Sequence, residues 1–311
     1  MNTKNLVLFA LSSVLALAQQ GARPAWAFPA ADKEQPPAVE STEPVHLPGS
    51  TKTYTPAQID DLTNPPDWYP EDHGPLPPVI AHGTPPNALA CGSCHLQSGH
   101  GHPESADLAG LPAEYLVRQM MYFKSGARKD PARMNAIAKV ISDADSRQAA
   151  EWFAAFKPGS WIKVVEADTV PRSYVRAAGR VRLPHPAGGT EMLGNRIVEL
   201  PVNPEAVLAR DPHTGFTAYV PKGSIAKGAA LASSGIGKTV TCSVCHGDGL
   251  KGLGDVPRIA GLHPIYIVRQ LYNFQSGASA GSQAALMKRV VANLTEDDMI
   301  ALAAYAASLN P

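Results

Sequence analysis

Cys91-Gly92-Ser93-Cys94-His95 and Cys242-Ser243-Val244-Cys245-His246 are two C-x-x-C-H stretches, and together they hold all four cysteines of the 311-residue chain. Thiols three positions apart on a helical turn lie on one side of it. Both can therefore reach the vinyl groups of one porphyrin and form thioethers, and the adjoining histidine then lies under the iron. The pattern predicts two covalently bound haem c groups. Cys91, Cys94, Cys242 and Cys245 would be the attachment points, with His95 and His246 as proximal iron ligands. A thioredoxin-like C-x-x-C would follow a strand in a βαβ pattern, and nothing around either pair reads that way. A zinc site would gather four such ligands at short separation. These pairs lie 151 residues apart, and each carries its own histidine.

Residues 1–27 read as a secretory leader, with Lys4 ahead of an apolar run over 6–18 and Ala25-Trp26-Ala27 as an A-x-A cleavage site. The apolar run is too short to span a hydrocarbon core of about 30 Å as a helix. Haem is attached to C-x-x-C-H outside the bacterial cytoplasm, so leader and motifs agree on an exported, periplasmic protein with no membrane span in the mature chain. Acids and bases balance at 27 each, and the leader holds Lys4 and Arg23 but no acid. That balance argues against nucleic acid as a partner.

Sliding the first motif onto the second by 151 residues aligns much more than the cysteines. Ala109-Gly110-Leu111 falls on Ala260-Gly261-Leu262. Tyr115, Val117-Arg118-Gln119, Phe123 and Ser125-Gly126-Ala127 fall on Tyr266, Val268-Arg269-Gln270, Phe274 and Ser276-Gly277-Ala278. Beyond these the offset becomes 153, which pairs Met134 with Met287, Asp145 with Asp298 and Trp152 with Tyr305. Ser142-x-x-Asp145 and Thr295-x-x-Asp298 read as capping starts of helices over 149–156 and 299–309. Ile80-Ala81-His82-Gly83 and Ile225-Ala226-Lys227-Gly228 precede the motifs, and each glycine suits a helix crossing another closely, under Trp152 or Tyr305.

Each copy resembles a class I cytochrome c domain, and the pair resembles the dihaem cytochrome c4 family. The resemblance rests on C-x-x-C-H, Ala-Gly-Leu, the duplicated Tyr-x-x-Arg-Gln-x-x-x-Phe-x-Ser-Gly and a methionine before a capped helix. It implies a mainly α fold of two helical cytochrome c domains, over 80–157 and 225–311. It implies Met134 and Met287 as distal iron ligands, and a backbone carbonyl ahead of Ala-Gly-Leu holding each histidine. Pro257 is the second copy's candidate for that carbonyl, with Ala106 at the matching place. Met120 and Met121 lack partners in the second copy and read as packing. His100 and His102 read as surface residues or a spare ligand, and His73, His82, His185, His213 and His263 carry no motif. Arg118 and Arg269, with Gln119 and Gln270, would serve the helix surface, contact haem propionates or tie the copies together.

Two segments depart from that family. Residues 28–79 contain twelve prolines, which predicts an extended tether, wrapped on through Trp68 and Tyr69, with one short helix opened by Thr55-Pro56. Residues 158–224 predict a small β-rich insertion, with strands over 161–165, 174–183 and 196–200. The expected role is an electron carrier between a dehydrogenase or quinol oxidoreductase and an oxidase or reductase. Against it stand a dihaem enzyme of the peroxidase or thiosulfate-oxidising type and the haem subunit of a larger dehydrogenase.

Overall fold

The computed structural model describes residues 23–28, 30–36, 41–84, 88–177 and 181–311. Most of the expected leader lies outside the described residues. Its end packs on the second copy, where the Trp26 indole donates to Glu296 at 2.7 Å, and Phe28, just beyond it, meets Tyr272 edge-on.

The proline-rich segment folds where a tether was expected. Strands β1 (Val45–His46) and β2 (Thr53–Tyr54) form an antiparallel ribbon. Helix α1 (Pro56–Ile59) starts as the sequence predicts, with Thr55 and Gln58 in a reciprocal capping box and Pro56 in the first turn. Leu47, Ile59, Trp68, Tyr69 and Ala209 make a small core of their own. Trp68 is 1% exposed, and its indole donates to the Ala209 carbonyl at 2.7 Å. Proline excludes regular ladders but not burial, and one buried indole contributes about 3 kcal/mol, enough to turn a tether into a docked module.

The first copy holds α2 (Pro78–Ala81), α3 (Gly92–His95), α4 (Ala113–Ser125), α5 (Met134–Val140) and α6 (Asp143–Ala154). Val79, Ile80, Leu116, Ile141 and Phe153 form its core. Gly126 at φ 78° closes α4 in the left-handed conformation that glycine adopts freely.

The insertion runs β3 (Ile162–Glu166), β4 (Thr169–Pro171), β5 (Ser173–Val175), β6 (Arg182–Pro184), β7 (Thr190–Met192), β8 (Val198–Pro201), α7 (Pro204–Leu208) and β9 (Phe216–Val220). A three-stranded sheet has the order β3-β9-β8, with β3 parallel and β8 antiparallel to β9. Where one strand over 174–183 was expected, two strands, β5 and β6, pair antiparallel. The pair β4-β7 was not foreseen, because strands of three residues carry too few positions for an alternation to register; the five-residue β9 was not foreseen either.

The second copy holds α8 (Ser224–Ser234), α9 (Ser243–His246), α10 (Pro264–Gln275), α11 (Ala284–Val291) and α12 (Glu296–Ser308). Helix α12 is buried on every side, because α8, α10 and β3 of the insertion all pack on it. Its crossing with α8 is as close as the sequence predicts. A Cβ on Gly228 would lie 2.0 Å from the Ala301 carbonyl oxygen and 2.7 Å from the Tyr305 Cβ. The first copy lacks that crossing: Gly83 follows the one-turn α2 at φ 62°, outside any helix. Trp152 instead donates to the Gln97 carbonyl at 2.8 Å and meets His73 edge-on.

Asp298 ties these helices together. It completes the capping box with Thr295, and its carboxylate takes Lys227 of α8 at 2.9 Å and Lys238 at 2.8 Å. Burial acts to raise its pKa, but the lysine and Thr295 hydrogen bonds outweigh burial and hold the carboxyl well below its usual range. A depressed carboxyl pKa stabilises the fold above the unfolded-state value and ceases to do so as pH falls through the folded-state value. Asp298→Asn is therefore expected to lower stability by about 1–2 kcal/mol near neutral pH. In urea unfolding followed against pH, the gap between wild type and variant should close only below about pH 4.

Candidate haem centres and the interface between them

Both C-x-x-C-H stretches wind into a single helical turn, α3 and α9, with the first cysteine at each N-cap. None of the four cysteines is paired in a disulfide. Burial pushes the Cys91 thiol up to about 12 and also raises Cys242. The imidazole Nδ1 of His95 lies 2.8 Å from the Ala106 carbonyl oxygen, and that of His246 lies 2.8 Å from the Pro257 carbonyl oxygen. Burial lowers both histidine pKa values against the carbonyl hydrogen bonds, so both rings are neutral. A neutral imidazole that donates Nδ1–H keeps the Nε2 lone pair for another partner. Ala106 thus supplies the same contact as Pro257 without the proline ring. Paired thiols on one turn, followed by a neutral imidazole with Nε2 available, fit a covalently attached haem.

Met134 opens α5 and Met287 lies inside α11, and both are half-buried. His100 and His102 are half-buried where the sequence suggested surface residues or a spare ligand. His100 stands against Trp161 with ring centroids 4.6 Å apart, and burial, with the Arg258 charge adding to it, pushes it down to about 4. Burial pushes His102 down to about 3, and its Nδ1 accepts from the Glu104 amide at 3.2 Å. Trp161 enters β3, so the packing of the insertion on the first copy buries His100.

The two copies face each other about a local twofold axis. Lys129 N–H donates to the Ala278 carbonyl at 2.9 Å, and Ala280 N–H donates to the Ala127 carbonyl at 2.7 Å. These are the same two positions of the repeat with their roles exchanged. Arg118 reaches Asp255 at 3.3 Å, and Arg269 reaches Glu104 at 2.6 Å. Glu104 and Asp255 are again equivalent positions, so each arginine holds the loop that follows the other copy's histidine. Tying the copies together, one of the roles considered for these arginines, forms here. Arg128 donates to Gln119 at 2.8 Å, Gln270 at 2.9 Å and the Tyr266 hydroxyl at 3.1 Å, which places both recurrent glutamines.

Near the axis lie Asp107 and Arg258, which occupy one repeat position and pair at 2.7 Å. Their side chains are 4% and 3% exposed. Arg258 also donates to the Ala109 and Ala260 carbonyls, another equivalent pair, and Asp107 accepts from the Ala109 amide at 3.0 Å. Sequence reasoning missed this pair because it sought identities between the copies. At a twofold axis a side chain meets its own counterpart, so the signal is an acid in one copy and a base in the other. Glu199 of β8 was missed too. It holds His263 at 2.7 Å and the Ile265 amide at 2.8 Å, anchoring the insertion to the start of α10.

No protein-family model matches the chain. A thiosulfate dehydrogenase electron acceptor of Thiomonas intermedia is 27% identical over 234 residues, covering 74% of this chain and 83% of that protein. Cytochrome c4 of Pseudomonas aeruginosa is 24% identical over 227 residues, covering 72% and 85%. Cytochrome c-554(547) of Halothiobacillus neapolitanus is 38% identical over 84 residues, which is 24% of this chain and 92% of that protein. Among solved structures, the thiosulfate dehydrogenase TsdBA of Marichromatium purpuratum superposes with a TM-score of 0.50 at 26% identity, over 74% of this chain. This chain spans 38% of the length of that structure. The chain belongs to the c-type cytochromes. Within them it is a dihaem protein of the cytochrome c4 kind, with two covalently bound haem c groups.

The buried pair at the axis has a measurable consequence. Asp107→Asn keeps the shape but leaves the Arg258 charge buried without its counter-charge. The expected loss is about 3–5 kcal/mol in urea unfolding of the haem-loaded protein. Asp255→Asn removes a partner whose side chain is 55% exposed, and its expected loss is at most about 1 kcal/mol.

Proposed function

We propose that this chain is an electron carrier whose two haems are held in turn by Cys91, Cys94 and His95 and by Cys242, Cys245 and His246, with Met134 and Met287 as distal ligands. The units that carry them are 80–157 and 225–311, joined by the insertion over 158–224. The observation that carries this reading is the matched Nδ1 hydrogen bond of the two histidines, each 2.8 Å from a backbone carbonyl. That bond sets the tautomer and aims Nε2 away from the backbone. When bound, a haem with histidine and methionine ligands supplies reversible one-electron chemistry at a raised potential. The arginine ties across the axis join the loop after each histidine to the other copy, which suits transfer between the two centres.

The electron donor we infer is a dehydrogenase, and thiosulfate dehydrogenase is the first candidate. The support is the likeness to a thiosulfate dehydrogenase electron acceptor over 83% of that protein's length. The leader and the haem motifs together support a periplasmic location for the carrier. Among the described residues no helix is long and apolar enough to cross a membrane. The competing reading, that the chain itself oxidises thiosulfate, is favoured by its superposition on a structure named for that activity.

Two measurements separate these readings and test the ligands. The carrier should show no steady turnover with thiosulfate or peroxide alone, yet be reduced when thiosulfate and a thiosulfate dehydrogenase are both supplied; turnover alone would make it the enzyme. The wild type should contain two haems per chain by pyridine haemochrome assay. Cys91→Ser with Cys94→Ser should contain one, and so should Cys242→Ser with Cys245→Ser. Met134→His and Met287→His should each lower one midpoint potential and weaken the methionine-to-iron charge-transfer band.

A further inference from the structure

The two attachment turns, alike in sequence, differ in what covers them. In the first, Ser93 is 1% exposed; its counterpart in the second, Val244, is 66% exposed. The cover is the proline-rich module together with the end of α7 in the insertion. Out of that cover comes Arg210. Its Nε donates to the Ile59 carbonyl at 2.7 Å, and its Nη1 donates to the Ser93 carbonyl, in the middle of the first C-x-x-C-H turn. Among the described residues no carboxylate forms an ion pair with this guanidinium, although Asp60 and Cys94 lie within electrostatic reach. The second turn has no such partner among the described residues.

The backbone at Arg210 makes the contact more informative. Its φ is 61°, in the left-handed region that side chains other than glycine, asparagine and aspartate rarely adopt. A glycine would sit there without strain. The position instead carries a long cation whose hydrogen bonds go to two carbonyls from two different parts of the chain. Trp68 anchors the preceding residue, Ala209, through its carbonyl, so the arginine is aimed from both sides.

We infer that Arg210 raises the reduction potential of the haem attached at Cys91 and Cys94, and so makes two similar haems unequal. The inference rests on the assignment of that haem to this turn. Its physical basis is simple. Reduction removes one positive charge from the iron centre, so a fixed cation beside the attachment turn favours the reduced form. The burial of the turn acts in the same direction, because exclusion of water disfavours the more highly charged oxidised form. Through Arg210 the extension and the insertion, which the plain two-domain family pattern lacks, thereby act on the chemistry of the first haem.

The test is a spectroelectrochemical titration of the full haem-loaded protein that resolves both midpoints. In Arg210→Gln, one midpoint should fall and the other hold. At an ambient potential equal to the wild-type midpoint, the oxidised-to-reduced ratio of that haem should rise on the order of tenfold. The haem affected should be the one that Met134→His also shifts. Arg210→Lys, which keeps the charge, should retain most of the wild-type value. Arg210→Gly relieves the backbone and removes the charge, so it should show the same fall even if Arg210→Gln folds poorly. Two unmoved midpoints, an equal fall in Arg210→Lys, or a fall confined to the haem shifted by Met287→His would each overturn the inference. Failure of the underlying assignment would look different: the Cys91→Ser, Cys94→Ser protein would still contain two haems per chain.

Discussion

Asp107 and Arg258 stand at one position of a repeated sequence and meet near the axis that relates the repeats. Two identical side chains there would be two buried acids or two buried bases, and the copies could not close on each other. With one of each, the charges pair at 2.7 Å, and the arginine satisfies a carbonyl from each copy. A buried ion pair adds little net stability over an apolar contact of the same volume, but a single unpaired member is heavily penalised. Its effect is therefore on arrangement. The copies can dock in the one register that brings these two residues together, and the reciprocal pairs of Arg118 with Asp255 and Arg269 with Glu104 follow from that register.

That register decides how the two haem sites relate. Each arginine tie ends on the loop that follows a histidine, and each histidine is held by a carbonyl from the same loop. The scaffold that sets the tautomer of one ring is thus buttressed by the other copy. The added segments then break the symmetry. The proline-rich module and α7 close over the first attachment turn, and β3 and β8 pack against the second copy's helices. Glu199 holds His263 and the first turn of α10 from within β8, where both partners are shielded from water. The insertion is in this way a part of both copies' surroundings, not a separate lobe.

Much of this could be read from the residues. The attachment turns, the matched histidines, the capped final helices at Ser142 and Thr295 and the close crossing at Gly228 all depend on neighbours a few positions away or on a repeat that shows itself by identity. Thr55-Pro56 opened a helix for the same local reason. The misreadings have a common cause as well. The tether became a module because Trp68 finds a carbonyl at Ala209, 141 residues on. His100 became half-buried because Trp161, at the entry to the insertion's first strand, packs against it.

By itself, then, the sequence determined the chemistry: four thiols and two histidines in turns that can hold haem, repeated with their supporting helices. Those features follow from spacing along a helix and from side-chain type, which need no distant partner. Only the tertiary structure decided which surfaces meet. The pairing of Asp107 with Arg258, the exchange of arginine ties and the reach of Arg210 into the first attachment turn join residues more than a hundred positions apart. Whether such residues touch depends on how whole elements pack, and no local pattern in the chain records it.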